Sequence, residues 1–98
     1  MYDLYPMELK SKIKADGSNV VDVRSKAEYI MGHVKGSVNI PLNKVPEHLE
    51  EIKAIGEPVV LCCASGGRSG QATEFLQAQG FVEVYNGGGW REVKHAME

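Results

Sequence analysis

The chain has 98 residues, 43% hydrophobic and 24% charged, the balance of an ordinary folded protein and one that argues against a disordered or membrane-embedded chain. A formal net charge of -2, with lysines scattered among glutamates, leaves no basic face for nucleic acid. The length suits one hydrophobic core, so a single domain over 1–98 is expected, and the charged first twenty residues suit neither a signal peptide nor a membrane span, so a cytoplasmic protein is expected.

In chain order, Pro6, Met7, Leu9 and Ile13 predict a short amphipathic helix with Pro in its first turn, stopped by Asp16-Gly17. Asn19 to Arg24 is a strand whose apolar character breaks at Asp22 and Arg24, where it reaches a polar end. Ser25 with Glu28 three residues later is a capping-box pattern, so Ser25 to Met31 predicts a helix that Gly32 ends. The Gly32 to Ser37 loop leads into Val38-Asn39-Ile40, a strand ended or placed at an edge by Pro41. Val45 to Ile55, with Leu49 and Ile52 at helical spacing, predicts a covering helix closed by Gly56.

Val59 to Cys63 is a β-branched run that reads as a buried strand, and Ala72, Phe75, Leu76 and Gln79 recur at helical spacing up to Gly80. Phe81 to Tyr85 alternates as a half-buried or edge strand, and Asn86-Gly87-Gly88-Gly89 predicts a turn with freedom for positive φ. Trp90 to Met97 predicts a last short helix. Strands alternating with helices predict an α/β domain with a mainly parallel sheet covered on both faces. Ligands then gather at the strand C-terminal ends, where Asp22, the loop after Cys63 and Gly87 to Gly89 would meet.

The chemistry concentrates between the Val59 to Cys63 strand and its following helix, in Cys62-Cys63-Ala64-Ser65-Gly66-Gly67-Arg68-Ser69-Gly70. A loop of small residues feeding a helix N-terminus turns several N–H groups into one hollow, where the helix dipole also favours an anion. A thiolate is such an anion, and settings of this kind bring a cysteine pKa from about 8.5 into roughly the 3.5–7.5 range. Arg68 could fold back across the hollow with its forked donors. Either cysteine is a candidate nucleophile; the plainer reading is two inert cysteines in a tight turn. Neighbouring cysteines make a poor disulfide framework, and a redox disulfide between them would be strained. His33, His48 and His95 do not flank the cysteines at metal-ligand spacings, so no metal or other cofactor is expected.

Three stretches in order resemble the single-domain rhodanese-like sulfurtransferases. Val21-Asp22-Val23-Arg24 with Glu28, followed by Gly32-His33-Val34-Lys35-Gly36-Ser37-Val38-Asn39-Ile40-Pro41, is similar to the family's D-V-R…E…G-H-I-x-G-A-x-N-I-P signature. Cys63 to Ser69 is similar to its active-site loop C-x-x-G-x-R-S, and Gly80-Phe81, Val84 and Gly87 to Trp90 to its closing G-F…V…L-x-G-G…W. The resemblance implies a three-layer α/β fold and makes Cys63 the sulfur acceptor. It also implies a persulfide cradled by the backbone N–H groups of Ala64, Ser65, Gly66, Gly67, Arg68 and Ser69, with charge from Arg68 and structural support from Asp22 and Arg24 on the neighbouring strand.

In that reading His33 belongs to a structural turn, and Tyr85 and Trp90 are packing residues. The implied donor is a small sulfur-containing anion such as thiosulfate, and the implied acceptor is cyanide, a thiol or a protein. Ala64 stands where many thiosulfate-using members carry a basic residue, which leaves the donor open. Two other classes compete. A rhodanese-like module could carry sulfur or bind partners with little turnover, although it retains both Cys63 and Arg68. Counted from Cys62 the loop is Cys-x5-Arg-Ser, the spacing of cysteine phosphatases and arsenate reductases, but Gly66 falls three residues after Cys63 as the rhodanese loop requires.

Overall fold

The computed structural model describes residues 6–98. Four strands, β1 (Val20–Asp22), β2 (Val38–Asn39), β3 (Val59–Cys63) and β4 (Val84–Gly89), form one sheet in the order β2-β1-β3-β4, every neighbouring pair parallel. The helices are α1 (Pro6–Lys12), α2 (Lys26–Ile30), α3 (Leu49–Ile55), α4 (Gly67–Ala78) and α5 (Trp90–Ala96). The α/β architecture with a covered parallel sheet is therefore as the periodicities predict. Among the described residues, no helix is long and apolar enough to cross a membrane.

Alternation along β3 divides the core. Val59, Leu61 and Cys63 face one cluster, with Ile52 of α3 and Ala72 and Leu76 of α4, while Val60 and Cys62 face another, with Leu9 of α1 and Val93 of α5. Both faces are apolar because both are covered, which is why all five β3 residues are buried and the strand reads as an unbroken hydrophobic run. Register places Asp22 opposite Cys62 and Gly89 opposite Cys63, so the three predicted strand ends do meet at one edge of the sheet.

Two predicted elements are corrected. The helix expected over Val45 to Ile55 is two pieces: a 3₁₀ segment over Leu42–Glu47, then α3. Pro46 lies in the tighter segment and His48, at φ -121, is not helical, so the periodicity of Leu49 and Ile52 begins only after that break. The second correction is at the glycines. Asn86 to Gly89 is not a turn but the last four of the six residues of β4, with the expected positive φ at Gly88 alone, φ 83, and the strand starts at Val84 rather than Phe81.

Space, more than backbone freedom, requires Gly87. A Cβ there would lie 2.8 Å from both Val60 Cγ1 and Val93 Cγ2 and 3.1 Å from the Leu61 carbonyl oxygen. The strand is therefore pressed between β3 and α5 at a distance that only glycine allows. Gly87→Ala is expected to destabilise the protein by about 1–3 kcal/mol, the usual cost of overpacking, seen as a lower urea midpoint with an unchanged slope. An unshifted midpoint would show that this contact relaxes freely.

Candidate active site

At the C-terminal edge of β3, Cys63 is 1% exposed, at the floor of a turn whose Ala64, Ser65 and Gly67 are exposed. Gly66 takes a left-handed conformation, φ 100, as the residue preceding α4, and a Cβ on it would also meet Gly88 Cα at 3.4 Å. This conformation aims its own N–H at Cys63 Sγ, 3.0 Å away, and the Ser69 N–H reaches the same sulfur at 3.4 Å. The Ser69 hydroxyl lies 3.4 Å from Sγ. Sulfur is thus held at the N-terminal end of a twelve-residue helix by groups that stabilise negative charge.

Burial alone pushes the Cys63 thiol up, but the Ser69 hydroxyl and amide and the Ser65 and Gly66 amides outweigh it, leaving its pKa below the ordinary thiol value. Cys62 goes the other way. It is fully buried on the opposite face among Val20, Val60 and Val93, and desolvation, reinforced by the Asp22 charge, drives its pKa strongly upward. Adjacent in sequence, the two sulfurs are separated by the pleat, and both are free thiols. The frame counted from Cys62 would need a nucleophile at a sulfur that lies in an apolar core.

Ser69 is steered by a residue that sequence reading did not single out. Its hydroxyl donates to Asn86 Oδ1 at 2.6 Å, while Asn86 Nδ2 donates to the Gly66 carbonyl at 3.1 Å and the Gly88 N–H donates to Oδ1 at 2.9 Å. Asn86, 6% exposed, therefore joins β4 to both ends of the cysteine turn. A hydroxyl has one proton, so with that proton on Asn86 the Ser69 oxygen accepts from the Cys63 S–H; facing a thiolate, the proton must turn to sulfur. Removing the hydroxyl removes this stabilisation of the thiolate. Ser69→Ala is expected to raise the Cys63 pKa, reduce the thiolate fraction at neutral pH and slow its alkylation by iodoacetamide about ten-fold or more, the worth of one hydrogen bond to charge. A pH–rate profile checks this, and an unmoved profile would remove Ser69 from the account.

Arg68 has a partner that its spacing in the loop does not announce. Its two terminal nitrogens fork onto Glu28, Nη1 to Oε1 at 2.7 Å and Nη2 to Oε2 at 2.9 Å. Glu28 is within reach because it occupies the third position of α2, where the expected capping box forms: the Glu28 N–H donates to Ser25 Oγ at 3.2 Å and the Ser25 N–H to Glu28 Oε1 at 3.1 Å. Arg68 first, then the Ser25 amide, hold the Glu28 carboxyl at about 2, so the ion pair persists through the acidic range and is lost only as pH falls towards that value.

Asp22 and Arg24 brace the site one step removed from the loop. Their carboxylate and guanidinium are 0% and 5% exposed and paired at 2.7 Å, with further bonds from Arg24 Nε and the Arg24 N–H to Asp22. Arg24 then donates to the carbonyls of Gly32 at 2.7 Å and Glu28 at 3.4 Å, fixing the helix that carries the Arg68 partner. Trp90 covers Arg24, ring centroid to guanidinium 4.9 Å. His33 stacks on Tyr29 with centroids 3.7 Å apart and bonds its carbonyl through Nδ1. Tyr85 donates to Glu83 and lies beneath Lys12. Among the described residues, no three His, Cys, Asp or Glu side chains converge as a metal site.

Comparison with known proteins agrees with this fold. The family model for the rhodanese-like domain matches residues 5–96. The chain is 36% identical over 74 residues to the thiosulfate sulfurtransferase PspE of Escherichia coli K12, covering 74% of this chain and 71% of PspE. It is 38% identical over 69 residues to YqhL of Bacillus subtilis, covering 70% of this chain and 54% of YqhL, so it spans about half of that relative. The crystal structure of SSP1007 from Staphylococcus saprophyticus superposes with a TM-score of 0.76 at 36% identity, covering 95% of this chain and 93% of the other.

Proposed function

Given that this chain belongs to the rhodanese-like domain family, we propose that it is a sulfurtransferase that carries sulfane sulfur as a persulfide on Cys63. The observation that carries this reading is the Cys63 sulfur, which accepts from the Gly66 and Ser69 amides at the N-terminal end of α4. The likeness to a thiosulfate sulfurtransferase, PspE, supports thiosulfate as a workable donor.

In the first step the Cys63 thiolate attacks the outer sulfur of thiosulfate. A new S–S bond forms at Cys63, the S–S bond of the donor breaks, and sulfite leaves with the electron pair. In the second step cyanide or a thiolate attacks the outer persulfide sulfur, and Cys63 departs as thiolate. Its low pKa serves both steps, since the same anion is nucleophile and leaving group. The N–H groups around the turn stabilise charge on the sulfur without rearrangement, because the αL glycine and the helix already aim them there.

Intact mass after incubation with thiosulfate tests the proposal. The expected result is a gain of one sulfur atom at Cys63 that cyanide discharges. No gain with any sulfane donor would refute it, and a gain that neither cyanide nor thiols discharge would make the protein a carrier without turnover of its own.

A further inference from the structure

The cysteine turn, from Cys62 to Ser69, contains one formally charged residue, Arg68. It stands in the first turn of α4, one residue before Ser69, whose amide and hydroxyl meet the Cys63 sulfur. That cation is already answered. Both Arg68 terminal nitrogens donate to Glu28, and Glu28 is itself held in place by the Ser25 amide and hydroxyl at 3.1 and 3.0 Å. The pair is partly exposed, 37% for Arg68 and 38% for Glu28, so a ligand can reach it. Beside it opens a hollow of about 440 Å³, whose other lining residues, among them Val23, Pro41, Leu42 and Asn43, carry no charge.

We infer that Glu28 is a specificity-determining residue: it withholds the Arg68 guanidinium from the sulfur site, so that an oxyanionic sulfane donor must compete with Glu28 for that cation, whereas an uncharged donor such as an organic polysulfide need not. The inference rests on the sulfur-transfer reading for its meaning, but the competition itself is electrostatic. A bidentate carboxylate is the geometry that best occupies a guanidinium, and the incoming anion would have to replace two charge-assisted hydrogen bonds. The uncharged Ala64 and Ser65 at the rim do not compensate. The resting site therefore binds anions through amides and the helix terminus alone.

The test compares alkylation of Cys63 by iodoacetate, an anion, with alkylation by iodoacetamide, its neutral analogue. The same thiolate attacks both, so the ratio of rates cancels ionisation and reads the local potential. Glu28→Gln is the informative variant because glutamine also completes a capping box while losing the charge that holds Arg68. It is expected to raise the iodoacetate-to-iodoacetamide ratio about three-fold or more, the order of effect of one unit charge made available beside the turn. In an Arg68→Leu background the same substitution is expected to raise the ratio by a clearly smaller factor, because only the field of the lost Glu28 charge remains and no guanidinium is released to meet the reagent. An unchanged ratio in Glu28→Gln overturns the inference, and so does an equal gain in both backgrounds, which would mean Glu28 acts only through its own field. Sulfur transfer is scored separately: absence of a persulfide mass gain would defeat that reading and leave the alkylation ratios interpretable.

Discussion

Cys63→Ser is expected to reduce sulfur transfer from thiosulfate to cyanide by more than about 1,000-fold and to abolish the persulfide mass gain, while the protein stays folded. A hydroxyl in this position is still held by the Gly66 and Ser69 amides, so the turn keeps its shape. What is lost is ionisation at neutral pH and the polarisable sulfur that attacks sulfane sulfur. Cys62→Ser is the control that makes the result specific. Its side chain points into the cluster of Val20, Val60 and Val93, so a hydroxyl there costs stability, about 1–3 kcal/mol if unpaired, without touching the reacting atoms. Transfer in Cys62→Ser should remain within about two-fold of the parent at temperatures where it is folded. The reverse pattern, activity lost with Cys62 and retained without Cys63, would overturn the assignment of the nucleophile.

The largest loss of stability is expected at Arg24. Arg24→Met preserves much of the volume over which Trp90 packs but removes the guanidinium from a carboxylate that is 0% exposed. Among the described residues, Asp22 would then keep the Arg24 backbone N–H, at 3.0 Å, against a full negative charge out of water. Breaking a buried pair on one side costs about 3–5 kcal/mol, a large part of the stability of a domain of this size. Adding Asp22→Asn should recover part of the loss, because the neutral amide no longer needs a counter-charge. Urea denaturation of the three proteins measures both effects. A loss below about 1 kcal/mol for Arg24→Met would mean that water or another donor reaches Asp22. The same variant removes the guanidinium donors from the Gly32 and Glu28 carbonyls, the latter keeping the Met31 N–H at 3.2 Å, so α2 loosens and with it the carboxylate that holds Arg68.

Much of the fold was legible because it depends on local periodicity. The uninterrupted apolar run of β3, the capping box of α2 and the glycine that enters α4 each carry their signal within a few residues, and each stands where expected. The errors fall where packing overrides the local signal. Asn86 to Gly89 has the composition of a turn, yet it pairs as strand, because Val60 and Val93 leave no room for a side chain at Gly87, while the expected positive φ is used at Gly88, φ 83, where the register against β3 shifts before Gly89 meets Cys63. The break before α3 lies at Pro46 and His48, two residues that a search for spaced apolar positions passes over.

At the site the same division holds. From sequence alone came the fold class, the family resemblance and a nucleophilic cysteine in an anion-holding turn, since these follow from residue types at short spacing. Which face each cysteine takes follows from the pleat once β3 is covered on both sides, and only the assembled core says which face holds the turn and which is dry. The partners of the loop could not be read in advance. Glu28 lies 40 residues before Arg68, and Asn86 lies 17 residues after Ser69. Charge neutralisation of Arg68 and orientation of the Ser69 hydroxyl therefore depend on distances set by the packing of α2 and β4 around α4, which no spacing along the chain encodes.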